Sequence, residues 1–165
     1  MSGEALWWQR PGLEYLDTGL HLAGRALSAL AAQTGTPAFF YDAARIGTKL
    51  EMLHAALDRA GVRHRVFYAM KANRFAPLLT WLRGTGLCGI DACSPQELLF
   101  AAACGFEPDA VSYTATSVSD ADLDVLAAHP GTAVNCDSLS SIRRLGPRCP
   151  GRSIGIRINP GIGVG

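Results

Sequence analysis

The sequence predicts an α/β protein built from repeated βα units. From Ala38 onward, short apolar runs recur about every 20 to 28 residues, the period of a βα unit rather than of a solenoid repeat. Between the runs lie stretches with helical periodicity and recognisable caps. The composition says that such units can bury a core: 48% of the 165 residues are hydrophobic and 18% charged, outside the range of disordered chains.

Residues 1–36 read differently from the rest. Leu13-Glu-Tyr-Leu16 and Leu20-His-Leu22 flank Asp17-Thr18-Gly19, which predicts a short β-hairpin. A helix is expected from about Arg25 to Gln33, with Leu27, Leu30 and Ala31 on one apolar face, ended by Gly35-Thr36-Pro37. Residues 37–165 hold the repeating part. Six runs predict strands: Ala38–Asp42, Val66–Met70, Cys88–Ala92, Ala110–Tyr113, Ala133–Cys136 and Ile154–Ile158. Apolar runs of this kind suit a parallel sheet buried on both faces.

Five helices connect these strands. Ile46, Leu50, Leu53 and Leu57 form one helical stripe. Ser94-Pro95-Gln96-Glu97 reads as a capping box with proline at the first helical position, and Gly105 ends that helix. Ser119-Asp120-Ala121-Asp122 opens the next with acidic residues at the positive helix terminus. Asp42 and Asp137 read as helix N-caps. The alternation alone fits both a doubly wound sheet and a (β/α) barrel. A dinucleotide-binding domain should show G-x-G-x-x-G after its first strand. Tyr41-Asp42-Ala43-Ala44-Arg45 has no glycine, which counts against that fold.

Charge and composition exclude several functions. Fifteen Lys and Arg balance fourteen Asp and Glu, for a net charge of +1, so no basic surface for nucleic acid is expected. No apolar run approaches the roughly 18 residues of a membrane helix. The opening Met1–Trp8 lacks the pattern of a secretory signal. Cys88, Cys93, Cys104, Cys136 and Cys149 are odd in number and form no C-x-x-C pair. Reduced thiols in a cytoplasmic protein are expected. His21, His54, His64 and His129 are dispersed, nowhere at metal-ligand spacing, so no metal is expected.

In either fold, function gathers at the carboxyl ends of the strands. Those ends hold Asp42, Lys71, Asp91, Thr114, Asp137 and Arg157-Ile158-Asn159. Lys71 stands out. A lysine closing an apolar strand points to the mouth of the fold, where partial desolvation favours the neutral amine and suits a Schiff-base nucleophile. Position alone also suits a rim lysine whose ammonium reaches water.

Ordered motifs decide between these. Tyr68-Ala69-Met70-Lys71-Ala72-Asn73 resembles the Y-A-x-K-A-N signature of the fold-type III pyridoxal-phosphate-dependent decarboxylases, which act on diaminopimelate, ornithine and arginine. Gly35-Thr36-Pro37 with Tyr41-Asp42 resembles the segment leading into their barrel. Gly89-Ile-Asp-Ala-Cys-Ser94 through Glu97-Leu98 resembles the third-strand segment, and Ala103-Cys-Gly-Phe106 the end of the following helix. Asn135-Cys-Asp-Ser138 resembles the fifth-strand end. Arg157-Ile-Asn-Pro160 resembles the sixth-strand R-x-N-P.

The resemblance implies a partial (β/α)8 TIM barrel of about six strands out of eight. Residues 1–36 would contribute a strand piece to a second, β domain, and residues 37–165 an incomplete cofactor-binding barrel. It implies pyridoxal 5'-phosphate as cofactor, held by Lys71 as a Schiff base. Asp91 and Arg157 would line the pocket near the cofactor ring, and Glu97 would join that polar layer. Asn73 and Asn159 would orient loops at the mouth. The Gly-Thr-Pro segment and the R-x-N-P-G sequence are more similar to diaminopimelate than to ornithine decarboxylases. That implies conversion of meso-diaminopimelate to lysine by a full-length homodimer, with a non-catalytic, cofactor-binding or regulatory homologue as the alternative. The family's ring-stacking histidine, glycine-rich phosphate loop and late cysteine segment are expected beyond residue 165, so the chain alone is expected to be inactive. Gly161-Ile-Gly-Val-Gly165 lacks the strand-to-helix context of a phosphate cradle and reads as a connection.

Overall fold

The computed structural model describes residues 9–161 and Gly163. The opening Met1–Trp8 and most of the terminal glycine-rich segment lie outside the described residues. The described residues form two compact units, divided between Lys49 and Leu50.

The first unit contains a three-stranded antiparallel sheet. β1 (Leu13–Leu16) pairs with β2 (Gly19–Leu22) through the predicted hairpin, Leu16 facing Gly19. His21 is buried against the turn, with its ring 3.2 Å from Thr18 Oγ1 and 2.8 Å from the Gly19 carbonyl. The expected helix begins later than the sequence suggests. Arg25–Ala26 forms a third strand, β3, and α1 spans Leu27–Thr34. The cause is the reversal at Ala23-Gly24, both at positive φ, which returns the chain beside β2 before the helix can start.

Residues 38–42, expected as a strand, join no ladder among the described residues. A strand is stabilised by its hydrogen-bonded neighbour, and Phe39 here is 87% exposed. Asp42 does cap the following helix: its Oδ1 accepts from Arg45 N–H at 3.1 Å. That helix, α2 (Ala43–Arg59), carries the predicted stripe, although Leu53 is exposed.

The second unit is a five-stranded parallel sheet. Its strands are β4 (Phe67–Ala69), β5 (Gly89–Ala92), β6 (Val111–Thr114), β7 (Ala133–Cys136) and β8 (Gly155–Ile156), hydrogen-bonded in that sequential order. β8 is shorter than the expected Ile154–Ile158. The connecting helices are α3 (Ala76–Thr85), α4 (Pro95–Ala103), α5 (Asp120–Ala127) and α6 (Leu139–Leu145). The order decides what periodicity left open. Right-handed crossovers that always step the same way keep every helix on one face. A doubly wound sheet reverses its order and covers both. Unbroken sequential order is an arc of a barrel.

Burial agrees. Met70, Ile90, Ala92, Val111, Tyr113, Val134 and Cys136 alternate onto the helix side and are buried. Leu78, Leu79 and Leu82 of α3, Leu98 and Ala101 of α4, and Leu123 and Leu126 of α5 are buried as well. Each such leucine contributes about 1.5–3 kcal/mol by leaving water. Burial drives the Tyr113 hydroxyl up to about 12, with the charges of Asp122 and Cys93 adding to it.

The other face corrects an expectation. The strands are apolar on one side only. Their register places Ala69, Asp91, Ser112 and Ala133 abreast, then Thr114, Asn135 and Gly155. That concave face is small and polar, and half-exposed in most of its residues.

The caps follow the sequence with two adjustments. Ser119 and Asp122 form the full reciprocal box at the start of α5. At α4, Ser94 Oγ accepts from Glu97 N–H, but the Glu97 carboxylate reaches one residue further back, to Cys93 N–H. At α6, Ser138 rather than Asp137 is the N-cap. Asp137 instead accepts from the Ser141 hydroxyl at 3.1 Å. The serine side chain is short enough to turn back on its own helix, and Asp137 stands one residue too early.

Candidate active site

The carboxyl edge of the parallel sheet carries the candidate residues. Lys71 sits in a single 3-10 turn, Met70–Ala72, directly after β4, with Met70 buried and Lys71 exposed. The turn is short because Asn73 arrests it: Asn73 Oδ1 accepts from Phe75 N–H at 2.9 Å and α3 starts at Ala76. The buried Met70 anchors the strand end from the helix side while the next residue faces the opening.

Asp91 lies on the adjacent strand. It is the ladder partner of Ala69, two residues before Lys71, and its flanking Ile90 and Ala92 are buried on the helix side. Alternation therefore turns the Asp91 carboxylate to the concave face. Next to it the polar row continues. Asn135 Nδ2 donates to Thr114 Oγ1 at 2.9 Å and to Ser112 Oγ at 3.2 Å. Two glycines keep the strands close: a Cβ on Gly89 would strike the Ala110 carbonyl, and one on Gly155 would strike Asn135 Oδ1.

Arg157 follows β8, its N–H bonded to the Cys136 carbonyl at 2.8 Å and its side chain exposed. β4 and β8 are the outer strands, so Lys71 and Arg157 mark the two ends of the arc and Asp91 lies near the first. Among the described residues the side chains of Lys71, Asp91 and Arg157 make no hydrogen bond or ion pair with the protein. All three are available at the mouth. Asn159 turns inward on its own loop, its Oδ1 accepting from Gly161 N–H.

Glu97 is placed differently. Its side chain is 2% exposed, and both oxygens are engaged. Oε1 accepts from Arg74, 2.8 Å from Nε and 2.7 Å from a terminal guanidinium nitrogen, and Oε2 accepts from Cys93 N–H at 2.8 Å. Burial opposes its charge, but the Cys93 backbone and thiol and the Arg74 guanidinium outweigh it. The carboxyl is held below its ordinary range. The same hydrogen bond, with burial, raises the Cys93 thiol.

Sequence reasoning assigned no role to Arg74, Ser112 or Asn135. The last two had a signal: each interrupts an apolar strand at the period of two that marks the opposite face. Dispersed spacing also concealed a histidine pair. His54 Nδ1 and His64 Nε2 lie 2.8 Å apart, and their outer nitrogens sit at the carbonyls of Leu87 and Val62. They border a cavity of about 360 Å³ that also meets Cys88, Gly89 and Ala110. This cavity opens at the amino ends of β5 and β6, the end of a barrel that serves stability rather than chemistry. Burial raises the Cys88 thiol there. No helix among the described residues is long and apolar enough to cross a membrane.

Known proteins share this arrangement. Residues 43–165 match the family model described as pyridoxal-dependent decarboxylase, pyridoxal binding domain. The chain is 38% identical over 157 residues to the diaminopimelate decarboxylase of Methanothermobacter thermautotrophicus, covering 94% of this chain and 36% of that protein. It is 32% identical over 166 residues to the Aquifex aeolicus diaminopimelate decarboxylase, covering 96% and 38%. A crystal structure of an Aquifex aeolicus protein superposes with a TM-score of 0.81 at 28% identity, over 92% of this chain and 38% of that one. The diaminopimelate decarboxylase of M. jannaschii, crystallised with L-lysine, shares the fold with a TM-score of 0.82 at 23% identity, over 92% and 36%. The chain thus spans little more than a third of the length of these relatives. With the sequential sheet and the lysine at its carboxyl edge, these matches place the chain in the pyridoxal-binding domain family of the pyridoxal-dependent decarboxylases.

Proposed function

We propose that the protein decarboxylates an amino acid with pyridoxal 5'-phosphate bound at Lys71. One observation carries the reading: an exposed primary amine follows β4 directly, two residues after the ladder partner of the Asp91 carboxylate. The donor set fits an aldehyde cofactor. Lys71 offers the amine that binds it covalently, and Asp91, Ser112, Thr114 and Asn135 offer a row of polar groups beside it. When bound, pyridoxal phosphate supplies the electron sink for the charge left on loss of a carboxyl group.

The chain's own residues do the rest. Lys71 would hold the cofactor through its amine. Asp91 orients the cofactor from the neighbouring strand. Arg157, a fixed cation at the far end of the arc, lines the pocket from the opposite side, and Glu97 serves the same polar layer from behind. The concave face shields the reacting carbon from bulk water once the barrel is closed. The substrate is meso-diaminopimelate and the product lysine, a reading supported by the curated relatives, which carry the name diaminopimelate decarboxylase. The full-length protein works as a cytoplasmic homodimer, a reading resting on the likeness of its motifs to the family.

Borohydride reduction of the full-length protein with pyridoxal phosphate, followed by peptide mapping, tests this. The label is expected on Lys71. Lys71→Ala should lose it together with turnover, and Lys71→Arg should not rescue, because a guanidinium stays protonated and forms no imine. Label on Lys49 instead would sink the assignment.

A further inference from the structure

Arg74 belongs to none of the motifs that point to the cofactor, yet it joins the two turns that carry the site. It lies three residues after Lys71, in the segment linking β4 to α3. Its guanidinium reaches Glu97 on α4, and the same carboxylate holds Cys93 N–H, two residues after Asp91. One buried carboxylate therefore ties the turn that presents Lys71 to the turn that follows Asp91. The geometry is directional: Arg74 spends Nε and a terminal nitrogen on one oxygen and leaves the other for the backbone. Arg74 is 61% exposed and Glu97 2%, so the clamp sits at the rim with its anionic half inside. A cavity of about 340 Å³ borders Arg74, Ser94, Gln96, Glu97 and Phe100, which leaves room for the turn to move once released.

We propose that Arg74 is a positioning residue, whose bond to Glu97 fixes the Lys71 turn against the Asp91 turn. The role of Lys71 in cofactor binding is taken from the functional reading above; the clamp itself is independent of it. Without Arg74, Glu97 is a buried carboxylate with backbone and thiol partners only, and it must either take up a proton or swing toward water. Either change frees both turns. Lysine cannot replace arginine here, since one ammonium does not reproduce the planar fork.

The test uses the full-length protein with Arg74→Gln, Arg74→Lys, and the pair Arg74→Gln with Glu97→Gln. The double variant removes the buried charge together with its partner, so it is expected to fold where the single glutamine variant is weakened. Amide exchange is read for residues 70–75 and 92–96, with α5 as the reference, without and with pyridoxal phosphate. Exchange in both turns is expected to rise about tenfold in all variants while α5 is unchanged, which is local opening rather than global unfolding. Turnover should fall on the order of 100-fold with little change in KM, the size of effect that a small misplacement of reacting groups produces. The double variant should regain the melting temperature but neither the exchange protection nor the turnover. The clamp is overturned if Arg74→Gln speeds exchange only near residue 74, or if the double variant restores turnover. Absence of a trapped label at Lys71 in the unaltered protein overturns the functional reading instead, and cofactor-free exchange then decides the clamp by itself.

Discussion

Asn135 Nδ2 bonds both Thr114 Oγ1 and Ser112 Oγ, so a single amide on β7 gathers the two polar side chains of β6. The arrangement depends on what is missing next door. Gly155 is the ladder partner of Asn135, and a Cβ there would strike the Asn135 amide oxygen. Gly155→Ala should push Asn135 off β6, destabilise the protein by about 1–3 kcal/mol and weaken pyridoxal phosphate retention. Gly155 sits outside the left-handed region, so the effect is steric. Combining it with Asn135→Ala removes the collision and should regain much of the stability. Chemical denaturation of the full-length variants would show this, and an unchanged midpoint for Gly155→Ala would refute it.

Glu97 gives a pH dependence with a definite sign. Its folded carboxyl is held below its ordinary value despite burial, because Cys93 and Arg74 favour the charged form. A depressed carboxyl stabilises the fold above its unfolded value, about 4.3. That stabilisation is lost as the pH falls through the folded value. Glu97→Gln should melt at a lower temperature at neutral pH, and its melting temperature should fall less steeply than the unaltered protein's below about pH 4.3. Parallel melting curves across that acid range would show that the ion pair contributes nothing.

Asp91 is proposed to orient the cofactor, since it is half-exposed on the strand next to β4 and engages no donor among the described residues. Asp91→Asn keeps the shape and removes the charge. The full-length variant should fold normally, with cofactor retention or turnover reduced. Retention is measured by dialysis against cofactor-free buffer. Unaltered retention and turnover would reduce Asp91 to a strand-end residue.

The sequence carried the helices, the hairpin and five of the six expected runs as recognisable strands because these depend on local period and caps. Ser119, Ser94 and Gly105 act within one turn of themselves. What stayed hidden depends on neighbours remote in the chain. Residues 38–42 have the composition of a strand but join no ladder, and composition does not supply a partner. Ile154–Ile158 reads as five strand residues where the ladder bonds two. The strands looked apolar on both faces because Asp91, Ser112 and Asn135 are single polar residues in short runs. Only the register, which sets them abreast, reveals a polar face. Lys71 was legible from its motif. Arg74 was not, because its partner Glu97 is 23 residues away and was already explained as a helix cap.

Arg152 makes a prediction about stability. Its terminal nitrogens donate to the carbonyls of Leu126, His129 and Thr132 at 2.7, 3.0 and 2.5 Å, closing the carboxyl end of α5 where the helix dipole is negative. Arg152→Met leaves those carbonyls without the donor and should cost about 3 kcal/mol. Arg152→Lys should recover little, because one ammonium cannot span three carbonyls. Both values come from denaturant titration, and a loss below about 0.5 kcal/mol would place Arg152 among ordinary surface residues.

Residues 1–165 expressed alone should self-associate and show no decarboxylase activity. The reason lies in the edges of the sheet. Among the described residues β4 bonds only β5, and β8 bonds only β7, so each outer strand presents a row of backbone groups that another chain can pair with. Ile156 and Ile158 at the β8 end are 69% and 80% exposed, which adds apolar surface to an open ladder. The concave face works in the other direction: Asp91, Ser112, Thr114 and Asn135 keep it wettable, so collapse of that face is not expected. Association should therefore run edge to edge and be suppressed by a charge on the β8 edge. Ile156→Lys should shift the species seen in sedimentation toward monomer without raising the melting temperature. A 1–165 chain that sediments as a monomer, melts sharply and retains pyridoxal phosphate would show that the five-stranded arc is self-sufficient. Oligomers unaffected by Ile156→Lys would move the contact away from β8, to the β4 edge or to exposed Phe39.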